Sequence, residues 1–166
     1  MELAEVVARM EIHQALMRFC RGVDRGDADL ICSAYFPEAR DQHGAFEGTA
    51  AELAAMLIPD MDASNMVGQH MITNILCEFD DEHHARVESY YFVLHPEQSG
   101  IIWTGGRYLD EFECRDGEWK IAARKVLIDW SKAAEEMPPW ALAGTLPQGH
   151  RHQKDPSASF FSTPLT

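Results

Sequence analysis

Four long runs rich in β-branched and aromatic residues occupy the middle of the chain, separated by short turn-forming segments. The runs are Val67 to Phe79, Ala85 to Leu94, Ile101 to Cys114 and Glu118 to Trp130. Between them lie Asp80-Asp81-Glu82, His95-Pro96 followed by Gly100, and Arg115-Asp116-Gly117, the last a strong hairpin signal. Strands joined by connections this short run antiparallel to their predecessors, so the runs predict a meander. Gly105-Gly106 interrupts the third run and predicts a bulge or sharp bend, as a strongly curved sheet requires.

The residues before the runs have the periodicity of helices. Leu3, Val6, Val7, Met10, Ile12, Leu16, Phe19, Cys20 and Val23 recur at a spacing of about 3.6, which predicts one amphipathic helix over the first 23 or so residues. Asp27 can cap a second short helix burying Leu30, Ile31, Ala34 and Tyr35 and ending at Pro37. Arg40 to Phe46 reads as a short strand. Thr49 with Glu52 three residues later is a capping box opening a third helix, which Pro59 is expected to stop. Three helices followed by four long strands predict an α+β domain with the helices on one face of a curved, mainly antiparallel sheet. At 166 residues the chain is one domain, expected over 1–130. Residues 131–166 hold five of the eight prolines, lack sustained periodicity and are expected to pack as a tail on the domain or on a neighbouring subunit.

Charge narrows the partners. With 14 Lys and Arg against 27 Asp and Glu the net charge is −13, which repels phosphate backbones and anionic lipid surfaces, so nucleic acid is not expected as a partner. No stretch approaches the roughly 18 apolar residues of a membrane span. The acidic start Met1-Glu2-Leu3-Ala4-Glu5 lacks the layout of a secretory signal, and a cytoplasmic location is the expectation. Cys20, Cys32, Cys77 and Cys114 are scattered singly, without zinc-finger spacing, and read as free thiols.

Three ionisable residues fall on apolar faces. Asp24 follows Cys20 by four positions and Leu16 by eight, so in a helix that persists to its end the carboxylate points into the domain; in a helix that frays at Gly22 it merely caps a turn. His70 shares a strand face with Ile72, Asn74 and Leu76, where an imidazole is either a satisfied core residue or, with an acid to orient it, a proton carrier. Both faces of that strand are mostly apolar, so both are expected to be covered, one of them by a partner subunit. Arg124 alternates with Ala122, Val126, Ile128 and Trp130, and a buried guanidinium requires an anion. That anion is either an Asp or Glu in a structural ion pair or charge arising on a substrate. One acid, one imidazole and one fixed cation on inward faces make the inventory of an acid-base site. The chain has no phosphate-binding Gly-rich loop, nucleophile elbow, dinucleotide fingerprint or His-Glu-x-x-His.

The remaining polar candidates are weaker. Asp41 and His43 share a strand face as a supporting pair or as two metal ligands lacking a third. His83-His84 reads as solvated turn, and His150 and His152 as solvent-facing or as contacts to an acidic neighbour. No metal and no organic cofactor is expected. Phe19, Tyr35, Asn74, Tyr91 and Trp103 are the residues expected to wall a substrate pocket.

Four blocks carry a resemblance: Arg21-Gly22-Val23-Asp24-Arg25-Gly26-Asp27, His70-Met71-Ile72-Thr73-Asn74, Gly105-Gly106-Arg107-Tyr108, and Gly117-Glu118-Trp119-Lys120-Ile121 with Arg124. Over residues 5 to 130 the chain resembles the SnoaL-like branch of the nuclear transport factor 2-like superfamily. The resemblance implies a cone-shaped α/β barrel whose mouth is closed by helices. Members include hexachlorocyclohexane dehydrochlorinase, scytalone dehydratase and bile-acid dehydratase, beside polyketide cyclases, isomerases and noncatalytic oxygenase small subunits. The dehydrochlorinase and dehydratases look similar here in placing an acid at the position of Asp24 and a histidine at that of His70, and Arg124 matches an arginine of the dehydrochlorinase. Phe19 departs from the bile-acid dehydratase pattern, which has tyrosine there. The resemblance implies a cofactor-independent lyase acting on a small apolar or aromatic ring by elimination or C–C cleavage. Isomerase or cyclase chemistry on the same dyad, and noncatalytic ligand binding, are the alternatives. It also implies a homo-oligomer, dimer or trimer.

Overall fold

The computed structural model describes residues 2–63, 67–97, 100–134 and 149–158. Helix α1 (Leu3–Arg25) buries Ala8, Ile12, Ala15, Leu16, Phe19, Cys20, Val23 and Asp24, a stripe spaced by threes and fours along one face. The stripe begins later than the apolar pattern suggests, because Leu3, Val6, Val7 and Met10 in the first turns are exposed. Gly22 does not fray the helix. It lets α2 (Ala28–Ser33) close in, since a Cβ there would lie 2.7 Å from both Ile31 Cγ1 and Ile31 N. The helix ends one turn later at Gly26, whose φ of 69° supplies the left-handed cap that favours glycine. Asp27 then caps α2, accepting from the Leu30 amide at 2.9 Å.

Two boundaries differ from expectation. Strand β1 (Tyr35–His43) begins immediately after α2, so Tyr35 and Pro37 belong to a strand rather than to the helix. The expected strand over 40–46 is in fact the end of β1, a turn at Gly44, and the start of β2 (Phe46–Gly48). Helix α3 (Ala50–Ala63) opens with the capping box, Thr49 N donating to Glu52 Oε2 at 2.7 Å and Glu52 N to Thr49 Oγ1 at 3.3 Å. It runs past Pro59, which lacks one helical donor without ending the helix.

The meander is present as β3 (Gln69–Phe79), β4 (His84–Glu97), β5 (Gly100–Arg115) and β6 (Glu118–Ala134). The six strands form one sheet in the order β2-β1-β6-β5-β4-β3, antiparallel throughout except for the parallel pair β1 and β6. The ends β2 and β3 do not pair, so the sheet is curled and unclosed. Strand β6 carries the domain beyond 130, to Ala134.

Three bulges in the meander decide which side chains face inward; one of them, with Ala122 extra between Ile121 opposite Phe112 and Ala123 opposite Glu111, puts both Ile121 and Arg124 inside. Thr73 pairs with Tyr90 and Leu76 with Glu88, so Asn74 and Ile75 together oppose one residue, and Asn74 takes a φ of 48°. The extra residue inverts the alternation. Leu76 therefore points out, 58% exposed, while Cys77 joins the core, contrary to the shared face expected for His70, Asn74 and Leu76. At the predicted glycine pair, Gly105 opposes Trp130 and Gly106 opposes Ile128, which sends Trp130 to the outer face. The inner face holds Val87, Tyr91, Val93, Tyr108, Phe112 and Ile121, all buried against the stripe of α1.

Candidate active site

The last turn of α1 and the first residues of β3 meet where the sheet curls over the helix. Asp24 projects inward there because the helix persists to Arg25. His70 Nδ1 and Asp24 Oδ1 are 2.5 Å apart, and the His70 amide donates to Asp24 Oδ2 at 3.0 Å. Each carboxylate oxygen thus has its own donor on one residue. A carboxylate accepts only, so the neutral imidazole carries its proton on Nδ1 and presents a lone pair at Nε2. Both side chains are sequestered, 6% exposed for His70 and 11% for Asp24. Phe19 and His95 stand edge-on to the imidazole, each with ring centroids 6.4 Å away.

Arg124 is on the same inner face but is already paired. Its Nε and Nη2 donate to the two oxygens of Asp110, both at 2.7 Å, and both side chains are fully buried. Of the two anions the sequence left open, the one present is a structural carboxylate. The guanidinium also lies over the Phe19 ring at 4.4 Å and the Tyr108 ring at 4.1 Å. Phe19 therefore touches both Arg124 and His70. Nη1 of Arg124 is buried without a hydrogen-bond partner among the described residues. Burial raises the Asp110 carboxyl above its ordinary value, against the opposing pull of Arg124. Burial likewise pushes the Tyr35 and Tyr108 hydroxyls well above theirs and the Cys20 thiol up to about 12.

The residues expected to wall a pocket divide. Phe19 is fully buried between the dyad and the ion pair. Tyr91 is on the inner face, stacked on Tyr108 at 4.6 Å, its hydroxyl crossing Gly106 to donate to Leu127 O at 2.9 Å. A Cβ at Gly106 would lie 2.6 Å from that hydroxyl, so only glycine admits the crossing. Tyr35 is inside the core, where its hydroxyl donates to Asp41 Oδ2 at 2.6 Å, and so acts as a core residue rather than a pocket wall. Asn74 is exposed at the β3 bulge, which removes it from an inner wall. Trp103 is on the outer face: it pairs with Leu94, on the side opposite Tyr91 and Val93, and packs on Phe92 with ring centroids 5.0 Å apart.

Asp41 is fully buried, and His43 Nδ1 is 3.5 Å from its Oδ1. Among the described residues no group of three His, Cys, Asp or Glu side chains is placed to hold a metal ion. His84 pairs with Asp81 on the surface at 2.8 Å, and His152 with Asp62 at 2.8 Å. The four cysteines are free.

Three polar residues at the site escaped the sequence reading. Asp110 sits on the inward parity of β5 with Gly106, Tyr108 and Phe112, and the same alternation that singles out Arg124 identifies it. His95 belongs to the inward series Val87, Ser89, Tyr91 and Val93, because β4 continues through the turn expected at His95-Pro96. Arg151 donates from Nη1 to the carbonyls of Val23 at 3.0 Å and Asp24 at 3.3 Å, and no local pattern announces it. Two surface hollows lie away from the dyad. One of about 940 Å³ runs beside α1, α2 and residues 152–158, and one of about 610 Å³ lies along Leu76, Arg86, Leu109 and Lys125. Neither is lined by Asp24 or His70, so hydrogen bonding and burial mark the site.

The profile of the SnoaL-like domain matches residues 4–125, a span that takes in α1 from its second residue, α2, α3, β1 to β5 and the part of β6 that pairs with β1. The chain belongs to the SnoaL-like family. No curated protein matches it in sequence. Solved structures do share the SnoaL-like cone. The crystal structure of LinA is 20% identical, covers 82% of this chain and 98% of its own, and superposes with a TM-score of 0.73. Hexachlorocyclohexane dehydrochlorinase LinA-type3 from Novosphingobium barchaimii is also 20% identical, with 82% and 99% covered and a TM-score of 0.73. A scytalone dehydratase-like protein of Novosphingobium aromaticivorans is 16% identical, with 81% and 92% covered and a TM-score of 0.70. At these identities the likeness is one of fold.

Proposed function

We propose that this SnoaL-like protein is a lyase that removes a proton from a small, apolar, ring-bearing substrate with the Asp24–His70 dyad and needs no group beyond its own side chains for that step. The observation that carries the reading is the 2.5 Å contact between a sequestered carboxylate and a sequestered imidazole. With Nδ1 bonded to Asp24, the lone pair at Nε2 takes a proton from a substrate carbon. The C–H electron pair becomes the new double bond as the bond to the leaving group on the adjacent carbon breaks, and that group departs with its pair. A halide leaves as the anion. A hydroxyl leaves as water after taking the proton back from the imidazolium. Asp24 remains ionised and stabilises the imidazolium between the two transfers. If the proton is returned to another carbon, or a C–C bond takes the place of the leaving-group bond, the same base gives isomerisation or cleavage.

Arg124 serves from one remove, since Asp110 holds its Nε and Nη2, and Nη1, without a partner among the described residues, is left for negative charge developing in the interior. The apolar surroundings suit an apolar ring. Ile128 opposes Gly106 on the inner face yet is 64% exposed, so the inner face is not covered there by the described core.

The test is turnover of cyclic substrates with a β-halide or β-hydroxyl, beginning with hexachlorocyclohexane and scytalone, which the names of the structural relatives suggest. Halide release or ring desaturation is expected. His70→Ala and Asp24→Asn should each lower the rate ~10²- to 10⁴-fold, the usual contribution of a general base. Full turnover by both variants on an accepted substrate would end this reading.

A further inference from the structure

The described part of the C-terminal segment, 149–158, lies directly behind the dyad. Arg151 is 8% exposed, and its guanidinium meets three oxygens through Nη1 and Nε, while Nη2 is buried without a hydrogen-bond partner among the described residues. Nη1 donates to the carbonyls of Val23 and Asp24, while Nε donates to Asp62 Oδ1 on α3 at 2.6 Å. His152 Nε2 holds the other oxygen of Asp62 at 2.8 Å. Beside them, the His150 amide donates to Asp155 Oδ2 at 2.9 Å and Arg21 donates to Ser157 Oγ at 3.1 Å. The approach is close: a Cβ at Gly26 would stand 2.6 Å from His152 Cε1 and 2.8 Å from Arg151 Nη2.

The last carbonyls of a helix have no partner within it, and a cation there also opposes the negative end of the helix dipole. Arg151 supplies both at the two residues that end in the dyad acid, sharing the Val23 carbonyl with the Gly26 amide and the Asp24 carbonyl with Arg25 Nη1, each at 3.3 Å. The backbone of Asp24 is gripped from one side by the guanidinium, while its carboxylate is gripped from the other by His70. We infer that Arg151 is a positioning residue for the dyad, fixing the Asp24 main chain so that its carboxylate meets His70 Nδ1. This rests on the dyad reading for its functional meaning. Arg151 takes no part in proton transfer, because it bonds main-chain carbonyls and Asp62 and touches neither the imidazole nor the Asp24 carboxylate in any contact described. Residues 149–158 thus act as a strap that fastens the end of α1 to the end of α3.

The test uses the full chain without substrate and follows the His70 Nδ1 proton by NMR, whose downfield position and slow exchange report the bond to Asp24. Arg151→Met removes every donor at similar length. The sheet amides should keep their shifts while the Nδ1 proton moves upfield and exchanges with solvent about tenfold faster, the scale of one lost hydrogen bond to a charged group. Arg151→Lys keeps the charge but not the fork, so it should recover part of that change. An Nδ1 proton at its wild-type position and exchange rate in either folded variant overturns the inference. Loss of fold in both variants also overturns it, by assigning Arg151 to the fold as a whole. Because the signal needs no turnover, it stays distinct from the fate of the catalytic reading: an active His70→Ala enzyme would end that reading and leave the link between Arg151 and Asp24 standing.

Discussion

At the scale of single residues, the buried ion pair is the sharpest commitment the chain makes. Arg124 and Asp110 are both inaccessible, bonded twice, and enclosed by Phe19 and Tyr108. Such a pair contributes little net stability over an apolar pair of the same shape, yet removing one partner strands a charge. Asp110→Ala should therefore cost about 3–5 kcal/mol in urea unfolding, whereas Asp110→Leu combined with Arg124→Met should recover most of that loss. If the single variant were as stable as the parent, the guanidinium would have to find another anion. Asp24, His70 and Arg124 were all legible in sequence because each interrupts an apolar period, and a folded interior permits that only where a partner waits. For Arg124, which partner waits was not legible: it depends on the register that sets β5 against β6, a contact between distant positions. His95 was hidden by a local signal, the proline after it, which reads as a turn although the strand runs on.

Among the elements, periodicity identified what forms, while long-range packing moved the limits. Helix α1, the capping box of α3 and all four strands of the meander follow from spacing alone. The phase within a strand did not, because one extra residue at Asn74 and another near Trp130 turn every later side chain to the opposite face. That is why Asn74, expected at a pocket wall, stands outside it, whereas Trp103 stands outside by the unbroken alternation of β5 itself. The strap is the element with the clearest pH dependence. The Ser157 hydroxyl and the His150 amide bonded to Asp155 hold its carboxyl down to about 2, below the roughly 3.9 of an unfolded Asp. The Arg151 and His152 bonds hold Asp62 below its ordinary value despite the cost of its burial. Depressed carboxyls favour the docked strap above about pH 4, and that preference disappears as pH falls from about 4 through 2. Amide exchange at His150 and Ser157, whose N–H groups both donate to Asp155, should therefore accelerate over that window before the sheet amides respond. Simultaneous acceleration of strap and sheet would place both in one cooperative unit.

For the whole molecule, the α+β class, the helices-then-meander order and a packed C-terminal tail are readable in the sequence, whereas the open edges and the place where 149–158 dock are not. Both depend on contacts across the full length of the chain, which composition and local spacing do not encode. The expected assembly has a physical basis on the outer surface. Trp130, Leu76, Tyr90, Leu109 and Ile101 are each more than a third exposed, and a sheet rarely leaves so many large apolar groups in water. Light scattering should return a mass at least twice the 18.7 kDa of one chain, and Trp130→Lys should weaken the assembly. A particle of 18.7 kDa at working concentration would refute it.

The grip of Arg151 on Val23 joins positions 128 apart in the chain. During synthesis, helix α1 emerges first and the entire sheet follows before the strap exists. A nascent chain can therefore bring His70 beside Asp24 early, but the fastening behind the acid comes only after the whole sheet has been made. On our reading, competence waits until residues 149–158 have emerged, and a ribosome stalled after β6 would display a cone whose acid is not yet held.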